Sequence, residues 1–142
     1  MAIAKTYVDQ VSLTTTNIKA LRATPFSLVV APGAGKALEF VSAQLYYDYA
    51  TAGLTESEDN FAVKYTDGSG VAVSQAIETT GFIDAAADYA TNALPKIDAI
   101  VAKAGAENQA LVLHNTGDGE ISGTGGGVLR VRTTYRVHVT GF

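Results

Sequence analysis

Apolar and polar side chains alternate along several stretches of this chain, most regularly over residues 128–139, VLRVRTTYRVHV. One face of this stretch consists of Leu129, Val131, Thr133, Tyr135, Val137 and Val139. The other face consists of Arg130, Arg132, Thr134, Arg136 and His138. Because successive side chains of a β-strand point to opposite sides, the pattern predicts a long strand with one face on a core.

Shorter stretches show the same period. Residues 26–31 and 109–115 each predict a strand. Residues 61–77 predict a hairpin around the sequence DGSG at residues 67–70, whose glycines allow the positive φ values that hairpin loops require. In residues 37–49 the alternation changes phase, which a bulge near Val41 or Ser42, or burial on both sides, explains.

Two stretches depart from the β pattern. Residues 92–105 place Leu94, Ile97, Ile100 and Val101 at spacings of three and four, with a proline early and a glycine at the end. This spacing predicts a short helix near residues 94–104. Residues 1–20 alternate weakly and end in a threonine run, which predicts an N-terminal arm or an edge strand.

Regularly spaced strands with Gly-rich turns between them favour a mostly β fold, an antiparallel β-sandwich or jelly roll with one short helix. The length of 142 residues fits one domain, which we place at residues 21–142. No linker and no repeat of fixed period divides the chain.

Composition narrows the possible functions. The chain has no cysteine, which excludes disulfides, thiolate metal sites and a cysteine nucleophile. It has no apolar run long enough for a membrane span and no apolar core of a secretory signal near Met1, so we expect a protein made in the cytoplasm without a membrane partner. The formal net charge of −4 argues against nucleic acid as a partner.

The turn VVAPGAGKAL at residues 29–38 is the nearest approach to a phosphate-binding loop. That motif needs a glycine five residues before the Gly35-Lys36 pair and a hydroxyl residue after it, but these positions hold Val30 and Ala37. The motif also needs a following helix, whereas the alternation predicts a strand. We therefore interpret Gly33 and Gly35 as turn residues.

Other catalytic and metal-binding patterns are also missing. The two histidines, His114 and His138, lie in predicted strands, and no Gly-x-Ser-x-Gly sequence occurs. The acidic residues Glu56, Glu58 and Asp59 lack the spacing of a calcium loop, which favours a solvated loop. We expect no enzymatic activity, metal or cofactor, although a hydrolase with an unrecognised carboxylate pair remains an alternative.

The arginines of residues 128–139 have two interpretations. As a line of guanidinium groups on one side of a sheet, Arg130, Arg132 and Arg136 form a binding surface for an acidic partner. As an ordinary polar face, they pair across strands with residues such as Glu39 or Asp48.

Three tyrosines supply an alternative function. A stacking platform for sugar rings could consist of Tyr46, Tyr47 and Tyr49. The chain would then be a carbohydrate-binding β-sandwich module. Tyr47 and Tyr49 share a face with Leu45 and Val41, however, and this sharing favours core packing.

The chain resembles a group of small proteins encoded beside capsid genes in tailed bacteriophages and prophages. The resemblance spans most of residues 20–138, in the blocks ALRATPFSLVVAPGAGKALEFVSAQLYYDY, DNFAVKYTDGSG, IETTGFID, LVLHNTGDGE and LRVRTTYRVH. Residues 92–108 depart from the pattern of the group. Members with a role resemble capsid decoration, or cement, proteins, β-rich domains that sit outside the head and lock neighbouring capsomers together.

The resemblance implies a structural virion protein on the capsid exterior, with the major capsid protein as its partner. It implies a homotrimer and no catalytic residues. The threonines of the N-terminal run, Thr14, Thr15 and Thr16, are then candidates for an arm that contacts a capsid subunit through a sheet edge. A disordered terminus is the alternative.

Overall fold

The computed structural model describes residues 4–56 and 60–141. These residues contain eight β-strands and two short helices. The strands are β1 (Thr6–Leu13), β2 (Phe26–Val29), β3 (Lys36–Asp48), β4 (Asn60–Tyr65), β5 (Ile77–Glu78), β6 (Tyr89–Ala93), β7 (Leu111–Asn115) and β8 (Val128–Val139). The helices are α1 (Thr15–Lys19) and α2 (Lys103–Ala106). Within these ranges, neither helix has the length and apolar character needed to cross a membrane.

The strands form two four-stranded antiparallel sheets. The first sheet has the order β1-β8-β3-β6, and the second has the order β2-β7-β4-β5. β8 lies inside the first sheet, and its side chains Leu129, Val131 and Thr133 are buried. The predicted long strand over residues 128–139 and the mostly β, antiparallel sandwich are both confirmed.

β3 contains the predicted bulge. Its pairing with β8 shifts register between Phe40 and Ser42. Leu38 and Phe40 are buried before the shift, and Leu45 and Tyr47 are buried after it. The extra residue in one strand therefore keeps the apolar side chains of both halves on the core side.

The β4–β5 hairpin is also present, but its glycines act differently from the prediction. Phe61 pairs with Ile77, and the loop N–H of Gly70 donates to the carbonyl of Asp67 at 3.1 Å. The positive φ of 67° near this loop belongs to Thr66, and neither loop glycine has one. Gly70 is needed for space, because a Cβ there would lie 1.7 Å from the carbonyl oxygen of Tyr65.

The prediction of a helix near residues 94–104 is wrong for most of that range. β6 ends at Ala93, Pro95 forms an isolated bridge with Ser74, and α2 begins at Lys103. The apolar spacing does not mark a buried face, since Ile97 is 94% exposed and Ile100 is 91% exposed. A helix this short depends on burying one side against a core, and this segment instead hydrogen-bonds along residues 73–75.

The N-terminal segment lies at an edge of the first sheet. Each residue of β1 pairs with β8, from Thr6 opposite Arg136 to Leu13 opposite Leu129. Residues 1–3 of the predicted arm are outside the described residues.

Candidate interaction surface

The outer side of the first sheet brings the three arginines of β8 into one row. Arg130 lies between Ser12 and Tyr46 of the neighbouring strands, and Arg132 lies between Gln10 and Gln44. We call this surface the arginine face, and it consists of Thr6, Gln10, Ser12, Glu39, Gln44, Tyr46, Asp48, Arg130, Arg132 and Arg136. The alternation in β8 places these side chains outward because Leu129, Val131 and Thr133 occupy the core side.

Two of the arginines form the cross-strand ion pairs that the sequence indicates. Arg130 pairs with Asp48. Arg136 pairs through Nη1 with Glu39 Oε2 at 2.9 Å, and His138 Nε2 lies 2.7 Å from Glu39 Oε1. All of these side chains are at least 39% exposed, so the pairs contribute little to folding stability.

Arg132 differs from its neighbours. Its Nη2 donates a hydrogen bond to the neutral Oε1 of Gln10 at 3.1 Å. Among the described residues no carboxylate forms an ion pair with Arg132. The guanidinium charge is therefore not neutralised within the sheet, and it remains able to pair with an incoming carboxylate.

A half-open depression lies beside Arg132. It has a volume of about 450 Å³ and is lined by Gln10, Tyr46, Asp48, Arg130 and Arg132. The Tyr46 side chain is held in place by a hydrogen bond from its hydroxyl to Gln44 Oε1 at 3.0 Å. The arginine face thus offers a concave, positively charged and polar contact area.

The predicted threonines have different positions from one another. Thr14 caps α1, since its Oγ1 accepts from the N–H of Asn17 at 3.3 Å and its own N–H donates to Asn17 Oδ1 at 3.0 Å. The Thr15 hydroxyl donates a hydrogen bond to the carbonyl oxygen of Gly127 at 3.0 Å. Thr16 is exposed. Thr14 and Thr15 therefore fix the link between β1 and α1, and the three do not form an extended arm.

In the turn at residues 29–38, the amide groups of both glycines are occupied by side chains. Gly33 and Gly35 have φ values of 103° and 74°, as the turn interpretation requires. Their N–H groups donate to Asn108 Oδ1 at 2.9 Å and Glu107 Oε1 at 3.2 Å. A carboxylate thus stands where a phosphate-binding loop would hold phosphate.

The two histidines lie in different sheets. His114 is on β7, and burial lowers the pKa of its imidazole, with Lys64 adding to the shift. His138 is on β8 beside Glu39. In residues 4–56 and 60–141, no cluster of three His, Cys, Asp or Glu side chains is placed to hold a metal ion. Of the acidic run, Glu56 accepts a hydrogen bond from Thr80 at 2.7 Å, and residues 58 and 59 are outside the described residues.

The tyrosines do not form a shared stacking surface. Tyr47 is fully buried and packs edge-on against Phe82. Tyr49 packs against the core, and its hydroxyl donates to the carbonyl of Thr51 at 2.9 Å. Tyr46 lies on the opposite side of β3, on the arginine face.

A second surface feature was missed by the sequence interpretation. Leu94, Ile97 and Ile100 are each more than half exposed on the segment between β6 and α2. An apolar depression of about 670 Å³ lies beside Ile97. The signal was present as the apolar spacing of residues 94–101, but the spacing alone does not tell a buried face from an exposed one.

The fold resembles that of a chain in the solved structure titled "Cyanophage Pam1 capsid asymmetric unit". The TM-score is 0.50 and the sequence identity is 16%, over 94% of this chain and 85% of that chain. The likeness therefore concerns the whole sandwich, and at this identity it establishes a shared fold. No protein-family model and no curated protein matches the chain.

Proposed function

We propose that the protein is a structural component of a phage virion that binds the outside of the capsid. In this role it stabilises contacts between capsomers, with the major capsid protein as its partner, and acts as a homotrimer. The observation that carries the proposal is the fold shared with a chain of a cyanophage capsid structure over 94% of this sequence. The role involves no chemical step.

The arginine face supports this role as the capsid-binding surface. It lies on a regular four-stranded sheet, whose pairing gives a stiff platform for contacts with a large neighbour. Arg132 supplies a charge that no carboxylate within the described residues neutralises, and the adjoining depression accommodates a protruding side chain. We therefore propose an acidic surface of the capsid subunit as the contact.

Capsid binding tests the proposal directly. Purified protein is mixed with capsids assembled without it, and the bound copies are counted after sedimentation. We expect saturation at a fixed number of copies per capsomer. Arg132→Glu should weaken binding by at least about tenfold, because a charge-assisted hydrogen bond is replaced by repulsion.

Lys36→Glu is the matched control. It makes the same change in net charge at the start of β3, outside the arginine face. Equal weakening by both variants would refute a specific role of Arg132, and absence of saturable binding by the unmodified protein would refute the proposed function.

A further inference from the structure

His114 lies on the outer side of the second sheet, under the loop of residues 66–70 in the β4–β5 hairpin. Its neighbours in β7, Leu113 and Asn115, are fully buried, so alternation places the imidazole on the other side. The loop approaches the ring so closely that a Cβ at Gly68 would stand 2.7 Å from Nε2. Lys64 holds the loop there, because its Nζ donates to the carbonyl of Gly68 at 2.7 Å. The loop therefore covers the imidazole.

The other ring nitrogen of His114 has no acceptor to bind. Its Nδ1 is buried and has no hydrogen-bond partner within the described residues. The neutral ring fits this position, because it can keep its single proton on Nε2. A protonated ring would place a second N–H, with part of the positive charge, at a buried atom without an acceptor. The closed loop therefore favours the neutral imidazole.

Two cations are fixed beside the ring. Lys64 extends from β4, and Arg22 follows α1, where its guanidinium donates to the carbonyl of Gly117. Burial is the first cause that lowers the pKa of His114 below its usual 6.5, and the charges of Lys64 and Arg22 lower it further. A proton on the ring is thus opposed by both desolvation and repulsion.

Two carboxylates also face the ring, and neither hydrogen-bonds to Nδ1. Glu120 favours a charged imidazole, but its oxygens accept from the N–H groups of Arg22 and Ala23 at 3.2 and 2.8 Å. Asp67 of the loop accepts from the N–H and the hydroxyl of Ser69 at 2.9 and 2.7 Å. The carbonyl of Arg22 also favours the charged ring, yet the sum of these influences lowers the pKa.

We propose that His114 is a pH-sensitive latch for the loop of residues 66–70, which closes over the neutral imidazole and opens when the imidazole is protonated. Opening lets water reach the ring, so its pKa returns towards the usual 6.5. Above pH 6.5 the ring is neutral in both forms, and the closed form keeps its full stability. As the pH falls below 6.5, the open form binds the proton more tightly, and the closed form loses stability until the pH has passed its own pKa.

Two measurements on the same protein test the proposal. NMR titration gives the pKa of each of the two histidines. Amide hydrogen exchange gives the protection of Thr66 and Gly70, whose N–H groups donate to the carbonyls of Ala110 and Asp67 at 3.0 and 3.1 Å. Corrected for intrinsic exchange, this protection should fall from about pH 8 to about pH 5. At full protonation the fall should be about tenfold for each pH unit by which the measured pKa of His114 lies below 6.5.

Three variants make the test specific. His114→Gln removes the titrating group and keeps a polar side chain, so it should abolish the pH dependence of this protection. His138→Gln is the matched control, since it removes the other histidine, in the first sheet, and should leave the dependence unchanged. Lys64→Met should raise the pKa of His114, because one repelling cation is gone.

Three results would overturn the latch. They are a pKa of His114 at or above 6.5, a protection of Thr66 and Gly70 that is the same in mild acid as at neutral pH, and an equal loss of protection in His114→Gln. The first two are read from the unmodified protein, so they decide the matter even where a variant does not fold. The latch lies in the second sheet and the arginine face in the first, so this test does not depend on capsid binding.

Discussion

Gly70 shows how the absence of one carbon atom allows a hairpin to close. The backbone of residue 70 lies so near Tyr65 that a Cβ would stand 1.7 Å from its carbonyl oxygen. Gly70→Ala must therefore displace backbone, and we expect a loss of about 2 kcal/mol in the free energy of unfolding. Urea denaturation followed by circular dichroism measures this loss.

Gly119→Ala is the control for that prediction. A Cβ at position 119 would meet no atom within 4 Å, and its φ is not in the left-handed region. We expect a change within about 0.5 kcal/mol. If Gly70→Ala is as mild as Gly119→Ala, the hairpin adapts and close approach does not restrict position 70.

Residue types predicted the arginine face in part. Alternation in β8 placed Arg130 and Arg136 on one side of the strand. The sequence also offered Glu39 and Asp48 as partners, and these residues form the ion pairs. The exceptional position of Arg132 was not predictable, because it depends on the register that sets Gln10 and Gln44 opposite it. Register is a property of the paired strands, and a one-residue slip would change every neighbour.

At the scale of elements, α1 depends on Thr14, the N-cap residue that precedes it. Thr14 and Asn17 exchange side-chain and backbone hydrogen bonds as a capping box, and the helix then buries Ile18. Thr14→Ala removes the cap, and should lower the free energy of unfolding by about 1 kcal/mol. Thermal unfolding measures the effect.

Thr16 provides the comparison at the same helix. It is exposed and lies inside α1, so Thr16→Ala should leave stability nearly unchanged. The pair also separates folding from binding. Reduced capsid binding by Thr16→Ala, with stability intact, would support the prediction that this threonine contacts a partner, whereas equal destabilisation by both changes would contradict the capping role of Thr14.

Elements with local signals were predictable, and those decided by distant contacts were not. β8 and the bulge in β3 follow from alternation within each strand, because one face must meet a core. Residues 94–101 also carry a periodic pattern, but Ile97 and Ile100 of this segment are exposed, and its backbone hydrogen-bonds to residues 73–75. The error arose where tertiary contacts override a local preference.

At the scale of the whole molecule, Glu107 connects three segments of the chain, which contain Gly35, Lys103 and Thr140. Its carboxylate accepts hydrogen bonds from Thr140 Oγ1 at 2.8 Å and from the N–H of Gly35 at 3.2 Å, and it pairs with Lys103 at 3.4 Å. The hydrogen bond from Thr140 is the first cause that holds the pKa of the Glu107 carboxyl below its usual 4.5.

This lowered pKa predicts a dependence of stability on pH. The folded state favours the carboxylate, so the contribution of Glu107 is complete above pH 4.5 and is lost as the pH falls through the folded-state pKa. Glu107→Gln should destabilise the protein at neutral pH, and the difference from the unmodified protein should shrink in acid. Urea denaturation at several pH values measures it.

Thr140→Val checks the cause of that shift. The Thr140 hydroxyl is the leading donor to the Glu107 carboxylate. Removing this hydroxyl should therefore cause part of the loss of stability that Glu107→Gln causes at neutral pH. If Glu107→Gln and the unmodified protein differ in the free energy of unfolding by the same amount at all pH values, the charge of the carboxylate does not contribute to stability.

The central position of β8 also governs when the molecule can fold. β1 and β3 do not pair with each other in the first sheet; each pairs with β8, which the ribosome makes after both of them. Until residues 128–139 have left the exit tunnel, the first sheet lacks the strand that unites it. Nascent chains in which these residues have not yet emerged should therefore lack the complete four-stranded sheet, and β1 can join β3 in one sheet only after β8 is available.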